Sequence, residues 1–316
     1  MPARIASLLP SATEIVCALG FREQLVGRSH ECDFPAGVGA VPVLTRSRVR
    51  TDGTSKDIDR DVRQILRDVL AVYEVDVDAL KAAAPTVVVT QNLCDVCAVS
   101  LEDVEQALEA IAVPAHVVSL SPTRLADVWE DLRRVGAALD GDAAAEGVVA
   151  DLEARAERIR TRALAVPEKP TVLTIEWTDP VMVGGMWMPE LVDLAGGVPL
   201  VTAPGEHAPT LDEQALGQLA PDVVLIKPCG FDLARTRAEA ESLRALLDRL
   251  QWPAWRKGRV YLADGNAFFN RPGPRLAESL EIMAACVHPQ VFEDLAETHQ
   301  ASFDTEWRSL PHHSGR

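Results

Sequence analysis

The sequence predicts an α/β fold with two Rossmann-like lobes joined by one long backbone helix, because one pattern occurs twice. Residues 80–91 read LKAAAPTVVVTQ and residues 216–227 read LGQLAPDVVLIK. Each copy has an apolar helical end, a proline that stops the helix, and a short Val, Ile or Leu run. Such a run is typical of a parallel strand buried on both faces. The two prolines, Pro85 and Pro221, are 136 positions apart (221 − 85).

Two similar lobes that face each other form a cleft, and clefts are common sites for small ligands. We therefore expect a ligand cleft between the lobes. The expected N-terminal lobe covers residues 1–121, a helical linker covers 122–166, the C-terminal lobe covers 167–297, and a loosely held tail covers 298–316.

The first half alternates strand and helix signals. Residues 4–9, RIASLL, predict a strand, and PSATEIVCALG predicts a turn and a helix that Ser11 or Thr13 caps and Gly20 ends. Residues 57–76 predict a helix, since apolar residues recur there at helical spacing. The half closes with a strand over 87–89, a helix over 101–111 and a strand over 115–120.

The segment between the halves contains almost no strand signal. DAAAEGVVADLEARAERIRTRALA is dense in Ala, Glu and Arg, which are strong helix formers. Glu157 and Arg160 stand at a spacing that stabilises a helix. A helix from about 142 to 165 spans roughly 35 Å. Since one stiff helix joins the lobes, we expect little hinge opening.

The second half repeats the alternation. TVLTIEW (171–177) predicts a strand, and after a Gly-rich loop MPELVDLAGG (188–197) predicts a helix that glycines end. The later elements, in chain order, are the helix LDEQALGQLA, a strand over 223–226, the helix ESLRALLDRL, a strand over 259–264 and a helix over 274–287.

Composition excludes several partners. The formal charge of −16 and the pI near 4.9 argue against nucleic acid and against an anionic membrane surface. Pro10, Ser11, Thr13 and Glu14 interrupt the apolar run that a secretory signal needs, so the N-terminus predicts a cytoplasmic location. The six cysteines are then expected to be thiols or metal ligands rather than disulfides.

Several motifs together resemble a known family. RIASLLPSATEIVCALG, LVGRSHECDFP, VDVDALKAAAPTVVVTQ and FNRPGPRLAESLEIMA, in this order, are similar to the cobalamin and iron-chelate substrate-binding proteins of ABC importers, and most of all to the cobalamin-binding branch. The similarity covers about residues 4–288. It implies two α/β lobes around a backbone helix, a bound chelate, no catalysis, and a periplasmic or cell-surface location if the transport role holds.

The resemblance also implies roles for particular residues. Asp78 and Glu213, just before the two copies of the repeat, match the acidic positions that dock onto arginines of the importer. Trp177 and Trp187 bracket a Gly–Gly turn, and their rings suit the face of a flat macrocycle. The ligand-binding positions expected from the resemblance and the local sequence are Pro10, Ser11, Asn92, Trp177, Gly184, Gly185, Trp187, Phe231, Phe268, Asn270 and Arg271. Arg271 could pair with a ligand carboxylate or phosphate, or cap a helix.

Histidine and cysteine residues follow several predicted strands. If they converge, thiolates and imidazole favour zinc, an iron–sulfur cluster or a cobalt centre. The candidate metal ligands are His30, Cys32, Cys94, Cys97 and Cys229. Inert thiols and a redox-active Cys94–Cys97 pair are the open alternatives.

The sequence therefore predicts a monomeric, non-catalytic protein that binds cobalamin, another corrinoid or a related metal chelate, with ABC importer subunits as partners. It contains no GxSxG, HExxH, P-loop or GxGxxG motif. The alternative is an intracellular thiol-based metal, iron–sulfur or redox protein that uses the same cysteines.

Overall fold

The computed structural model describes residues 2–67, 72–92, 101–112 and 114–307. The chain divides into two compact units. The N-terminal unit comprises Met1–Glu153 and Pro272–Pro274, and the C-terminal unit comprises Ala154–Arg271 and Arg275–Arg316. The boundary falls inside one long helix, Asp142–Leu164, and therefore inside the segment 122–166 that we expected to form a separate linker.

The N-terminal unit alternates strands and helices. Its elements are β1 (Ile5–Ser7), α1 (Pro10–Ala18), β2 (Leu25–Arg28), β3 (Thr45–Ser47), α2 (Ser55–Arg67), β4 (Tyr73–Val75), α3 (Val77–Ala83), β5 (Val87–Gln91), α4 (Leu101–Ile111), β6 (His116–Leu120), α5 (Leu125–Ala138) and the start of α6 (Asp142–Leu164). The main sheet has the order β2-β1-β5-β6, and all three pairings are parallel. Ala6, Leu8, Leu44, Leu80 and Val88 form its buried core.

The C-terminal unit is built on a second sheet. Its elements are the end of α6, β7 (Thr171–Thr178), β8 (Val181–Val183), α7 (Met188–Leu194), β9 (Val198–Pro199), α8 (Glu213–Leu216), β10 (Val223–Ile226), α9 (Leu233–Leu250), α10 (Pro253–Arg256), β11 (Val260–Ala263), α11 (Leu276–Val287), α12 (Glu293–Thr298) and β12 (Phe303–Asp304). The order is β12-β11-β10-β7-β8, with β9 beside β7. The pairings β10–β11, β10–β7 and β7–β9 are parallel, whereas β8 and β12 are antiparallel edges.

The duplicated pattern is present in the structure. Strands β5 and β10 lie in different sheets, and each follows a helix that an aspartate caps. The Asp76 carboxylate accepts from the Ala79 N–H at 2.9 Å, and the Asp212 carboxylate accepts from the Ala215 N–H at 2.8 Å. The two caps are 136 positions apart (212 − 76), as the prolines are. The predicted α/β fold with two units and a connecting helix is therefore confirmed.

The predicted helix over 57–76 is wrong at its end. The structure describes helix α2 as far as Arg67, and Tyr73–Val75 form a strand that pairs antiparallel with β3. Tyr and Val fit a pleated surface well, and cross-strand pairing with Thr45–Ser47 gives this segment partners that helical spacing alone does not reveal.

The predicted cap of the first helix is also wrong. Helix α1 begins at Pro10 after Leu9, without a side-chain cap, so Ser11 and Thr13 lie inside the helix. Proline suits this first position because its φ is already helical and its missing N–H would have no partner there. Gly20 does follow the helix in the left-handed region, with φ of 85°.

The described part of the predicted tail is packed rather than loosely held. Strand β12 pairs with β11, and Trp307 is fully buried against Trp255 with ring centroids 5.9 Å apart. The indole N–H of Trp307 donates to the Glu241 carboxylate at 3.0 Å. Aromatic burial therefore fixes the chain as far as residue 307. Among the described residues, no helix combines the length and apolar character that crossing a membrane requires.

Candidate functional site

Hydroxyl groups cluster at the carboxyl end of the N-terminal sheet, where ligands of open α/β sheets bind. Thr13 Oγ1 lies 2.7 Å from Ser7 Oγ and 3.0 Å from Cys32 Sγ. All three residues are buried. The Cys32 thiol is therefore held among buried polar groups rather than presented at the surface.

His30, two residues before Cys32, has different surroundings. Its ring is half-buried, and Nδ1 lies 2.8 Å from the Thr45 hydroxyl. The ring centroid lies 5.3 Å from that of Tyr73. Burial, with a smaller contribution from Arg28, lowers the pKa of His30 and favours the neutral imidazole.

The predicted residues Pro10 and Ser11 open helix α1 at the same sheet edge. Ser11 is buried, and among the described residues its hydroxyl has no hydrogen-bond partner. A buried hydroxyl without a partner costs free energy, so it is a natural place for a ligand or water contact. Asn92 follows β5, is exposed, and donates its backbone N–H to the Leu120 carbonyl at 2.9 Å.

An ion pair lies at the carboxyl end of the C-terminal sheet. Lys227 directly follows β10, and its Nζ donates to Glu176 Oε2 at 3.1 Å and to Asn270 Oδ1 at 2.7 Å. The Asn270 amide donates in turn to the carbonyls of Lys227 and Gly265 at 3.0 and 2.9 Å. The three side chains tie the ends of β7 and β10 to the loop that carries Phe268 and Arg271.

Trp187 and the Gly–Gly turn are part of the packing of this unit. Trp187 is buried, and its indole N–H donates to the Phe269 carbonyl at 2.8 Å. A Cβ at Gly184 would lie 2.3 Å from Thr174 Oγ1, and one at Gly185 would lie 2.5 Å from the Glu206 carbonyl oxygen. The two glycines of this turn therefore permit close packing.

Trp177 is more accessible than Trp187. Trp177 is half-buried and tilted against Phe231, with ring centroids 5.2 Å apart. The Arg235 guanidinium covers the Phe231 ring at 3.8 Å. A partly exposed indole beside aromatic and cationic groups is able to contact a flat ligand.

Phe268 and Arg271 lie on the loop after β11. The Arg275 guanidinium lies 5.5 Å from the Phe268 ring centroid. Arg271 is largely buried, and its Nη2 donates to Asn266 Oδ1 at 2.8 Å. The loop thus presents an aromatic ring and holds a guanidinium in a defined position.

Comparison with known proteins identifies the family. Residues 5–267 match the family model described as periplasmic binding protein. The chain belongs to this family. No curated protein matches the sequence.

Solved structures of periplasmic binding proteins share the fold. The heme-binding protein RhuT from Roseiflexus sp. RS-1 is 21% identical with a TM-score of 0.66, over 94% of this chain and 100% of that one. A heme-binding protein from Pseudomonas aeruginosa is 20% identical with a TM-score of 0.69, over 92% and 94%. The vitamin B12 binding protein BtuF of Vibrio cholerae is 16% identical with a TM-score of 0.65, over 92% and 98%.

These relatives are periplasmic, and the comparisons give no support to the cytoplasmic location that the N-terminus predicted. The predicted docking residues of this periplasmic binding protein are both exposed, each in the first turn of a helix. Glu213 binds Arg249 with both carboxylate oxygens, at 2.8 and 2.9 Å, which lowers the pKa of its carboxyl. The docking roles of Asp78 and Glu213 stay predictions.

The predicted metal cluster is only partly within the described residues. Cys94 and Cys97 lie outside them, and Cys229 is exposed in the C-terminal unit. Residues 2–67, 72–92, 101–112 and 114–307 contain no group of three or more His, Cys, Asp or Glu side chains that could hold a metal ion. A zinc or iron–sulfur site stays a prediction that depends on the two remaining cysteines.

Sequence reasoning missed Glu176 and the role of Lys227. The sequence did contain a signal for a buried charge. Lys227 directly follows the apolar run VVLI, which forms a strand buried on both faces. A charge in that place needs a partner. The partners lie 51 and 43 positions away, which no local pattern indicates.

Proposed function

We propose that this periplasmic binding protein binds a metal chelate of the corrinoid or porphyrin class, with cobalamin as the first candidate, and transfers it to an ABC importer. The observation that carries the proposal is the family match over residues 5–267. Relatives with the same fold bind heme or vitamin B12. A planar chelate around a metal is the feature that these two ligands share.

The strand-end residues suit such a ligand. Trp177 supplies an aromatic face, and Phe268 supplies a second ring in the same unit. Arg271 and Asn266 supply donors and acceptors for carboxylate or amide groups at the edge of a macrocycle.

For transfer to an importer, we infer that the protein acts as a monomer in the periplasm or at the cell surface. Asp78 and Glu213 are the proposed contacts with the membrane subunits. Glu213 is already paired with Arg249. Arginines of an importer therefore compete with Arg249 for this carboxylate. Because the Glu213–Arg249 pair is exposed, breaking it costs little free energy.

The test is titration of the apo-protein with aquacobalamin and, separately, with ferric protoporphyrin, followed by the visible spectrum and by calorimetry. We expect saturable binding of one chelate per chain, with cobalamin tighter. Tighter binding of the porphyrin changes the ligand but keeps its class. Absence of a saturable signal with both chelates, up to high micromolar concentration, rejects the proposal.

A further inference from the structure

We propose that Phe269 is a positioning residue of the chelate site, because it holds the loop after β11 in a strained turn that presents the Phe268 ring to the ligand. The proposal rests on the proposed function, since it requires a chelate. It assigns a role to a residue whose ring is fully buried, and whose contribution therefore comes from its backbone. All the groups that carry it belong to the C-terminal unit.

The backbone of Phe269 has a conformation that residues other than glycine rarely adopt. Its φ is 68°, in the left-handed region, where a residue with a Cβ is strained. Across it, the Asn270 N–H donates to the Phe268 carbonyl at 2.8 Å. A positive φ combined with a hydrogen bond between residues i and i+2 is typical of a rare and strained form of γ-turn. Such strain persists only where the surroundings hold it, and it is concentrated at ligand sites and switch regions.

Contacts on several sides hold the strained turn. The Phe269 N–H donates to Ser279 Oγ at 2.8 Å, and the Phe269 carbonyl accepts from the Trp187 indole N–H at 2.8 Å. The next side chain, Asn270, accepts from Lys227 Nζ at 2.7 Å. Both backbone polar groups of Phe269 are therefore satisfied inside the unit, and burial of its ring offsets the strain.

Ser279 is the contact that can be removed without changing the Phe269 ring. Its hydroxyl donates its one proton to the Arg275 carbonyl at 3.0 Å, so an oxygen lone pair accepts from the Phe269 N–H. Ser279 lies on α11 and is fully buried, out of reach of a ligand. An effect of Ser279→Ala on chelate affinity must therefore pass through the turn.

Phe268 is the residue that the turn presents. It is half-buried, its N–H donates to the Asp264 carbonyl at 3.2 Å, and its ring centroid lies 5.5 Å from the Arg275 guanidinium. A ring that is held before the ligand arrives loses little conformational freedom on binding, and such preorganisation raises affinity. The strain at Phe269 is thus offset during folding rather than during binding.

The test is a double-mutant cycle over Phe268→Ala and Ser279→Ala, titrated with aquacobalamin and with ferric protoporphyrin. Ser242→Ala is the matched control, since Ser242 Oγ also donates to a carbonyl of its own helix, at 2.7 Å, but is exposed on α9. We expect Phe268→Ala to weaken chelate binding about tenfold. Ser279→Ala should weaken it about 2- to 10-fold when Phe268 is present and not at all once Phe268 is alanine. The control should bind as the wild type does.

Amide hydrogen exchange of the ligand-free protein reports on the turn itself. The Phe269 N–H should exchange slowly in the wild type and in Ser242→Ala, and faster in Ser279→Ala, which removes its acceptor. Rapid exchange at Phe269 in the wild type overturns the proposal, because the turn is then not held. If Ser279→Ala does not fold, Trp187→Phe, which removes the donor to the Phe269 carbonyl, replaces it in the cycle.

The outcomes distinguish the positioning role of Phe269 from the proposed function. An equal loss of affinity for Ser279→Ala with and without the Phe268 ring overturns the positioning role and leaves chelate binding standing. Unchanged affinity in Phe268→Ala or in Ser279→Ala has the same consequence. If neither chelate binds the wild type, the proposed function and the positioning role both fail.

Discussion

The Nζ atom of Lys227 lies 3.1 Å from Oε2 of Glu176, with the lysine side chain fully buried and the glutamate 21% exposed. Asn270 accepts a second hydrogen bond from the same ammonium group at 2.7 Å. The pair therefore connects strands β7 and β10 to the loop that carries Phe268. A buried charge keeps its place only where such partners surround it.

Lys227 is fully buried, whereas Glu176 is partly exposed. We therefore expect substitutions at these two positions to reduce the free energy of unfolding by different amounts. Glu176→Gln leaves a fully buried ammonium group without its anion, and we expect a loss of about 3 kcal/mol in the free energy of unfolding. Lys227→Met fills a similar volume and leaves a carboxylate that reaches water, so we expect a loss of about 1–2 kcal/mol. Urea unfolding of both variants measures the difference.

Glu213→Gln is the matched control, because it breaks an ion pair with Arg249 in which both side chains are more than half exposed. Its cost should be the smallest of the three, because an ion pair in contact with solvent is weak. An equal or reversed cost for Glu176→Gln and Lys227→Met would show that burial of the lysine does not dominate this site.

Asp131 on helix α5 predicts a pH dependence of stability. Its Oδ1 accepts from Arg134 at 2.6 Å, but its buried Oδ2 has no hydrogen-bond partner among the described residues. Burial raises the pKa of Asp131 from 3.8 to about 7, which Arg134 opposes and Asp127 and Glu130 reinforce. Between these two pH values the folded chain retains a proton that the unfolded chain releases. Stability therefore falls as the pH rises through this window, by at most about 1.4 kcal/mol per pH unit.

Asp131→Asn should remove this slope, because the amide does not titrate. Urea unfolding at several pH values between 4 and 8 gives the slope directly, and Glu109→Gln, an exposed carboxylate on helix α4 of the same unit, is the control. The interpretation fails if Asp131→Asn and the wild type lose stability in parallel as the pH rises.

The sequence allowed the repeat and its consequences to be predicted because they depend on local patterns. Val87–Gln91 and Val223–Ile226 are apolar runs that a proline precedes, and both became central strands. The Ala- and Glu-rich segment became the continuous helix Asp142–Leu164. Propensity and periodicity alone determine such elements.

The remaining features depend on contacts between distant residues. Tyr73–Val75 is a strand only because Thr45–Ser47 pairs with it. The surroundings of His30 depend on Thr45, 15 positions away, and no spacing in the motif SHECDF distinguishes the half-buried His30 from the buried Cys32. The loops of the candidate site were therefore predictable from the sequence, but the contacts between their side chains were not.

Gly185 predicts a stability effect that a flexible turn would not show. A Cβ there would lie 2.5 Å from the Glu206 carbonyl oxygen and 2.6 Å from the Ala208 nitrogen. Both are backbone atoms, so Gly185→Ala must move a chain segment, and we expect a loss of about 1–3 kcal/mol in unfolding free energy. Gly147→Ala is the control, since an added Cβ there meets no atom within 4 Å and alanine favours the helix. Equal stability of Gly185→Ala and the wild type would contradict the close packing.

Trp177 and Trp187 should have different roles, although the sequence analysis assigned both to ligand contact. Trp187 is buried, and its indole N–H donates to the Phe269 carbonyl, so Trp187→Phe leaves a buried carbonyl without its donor and should cost about 1–2 kcal/mol of stability. Trp177 is half-buried beside Phe231, so Trp177→Ala should spare much of the fold but remove an aromatic face from the ligand. We expect about a tenfold loss of chelate affinity for Trp177→Ala and little loss for Trp177→Phe, which retains a ring. Calorimetric titration with aquacobalamin, beside thermal unfolding of each variant, separates the two effects. Unchanged affinity in Trp177→Ala would remove this residue from the proposed site.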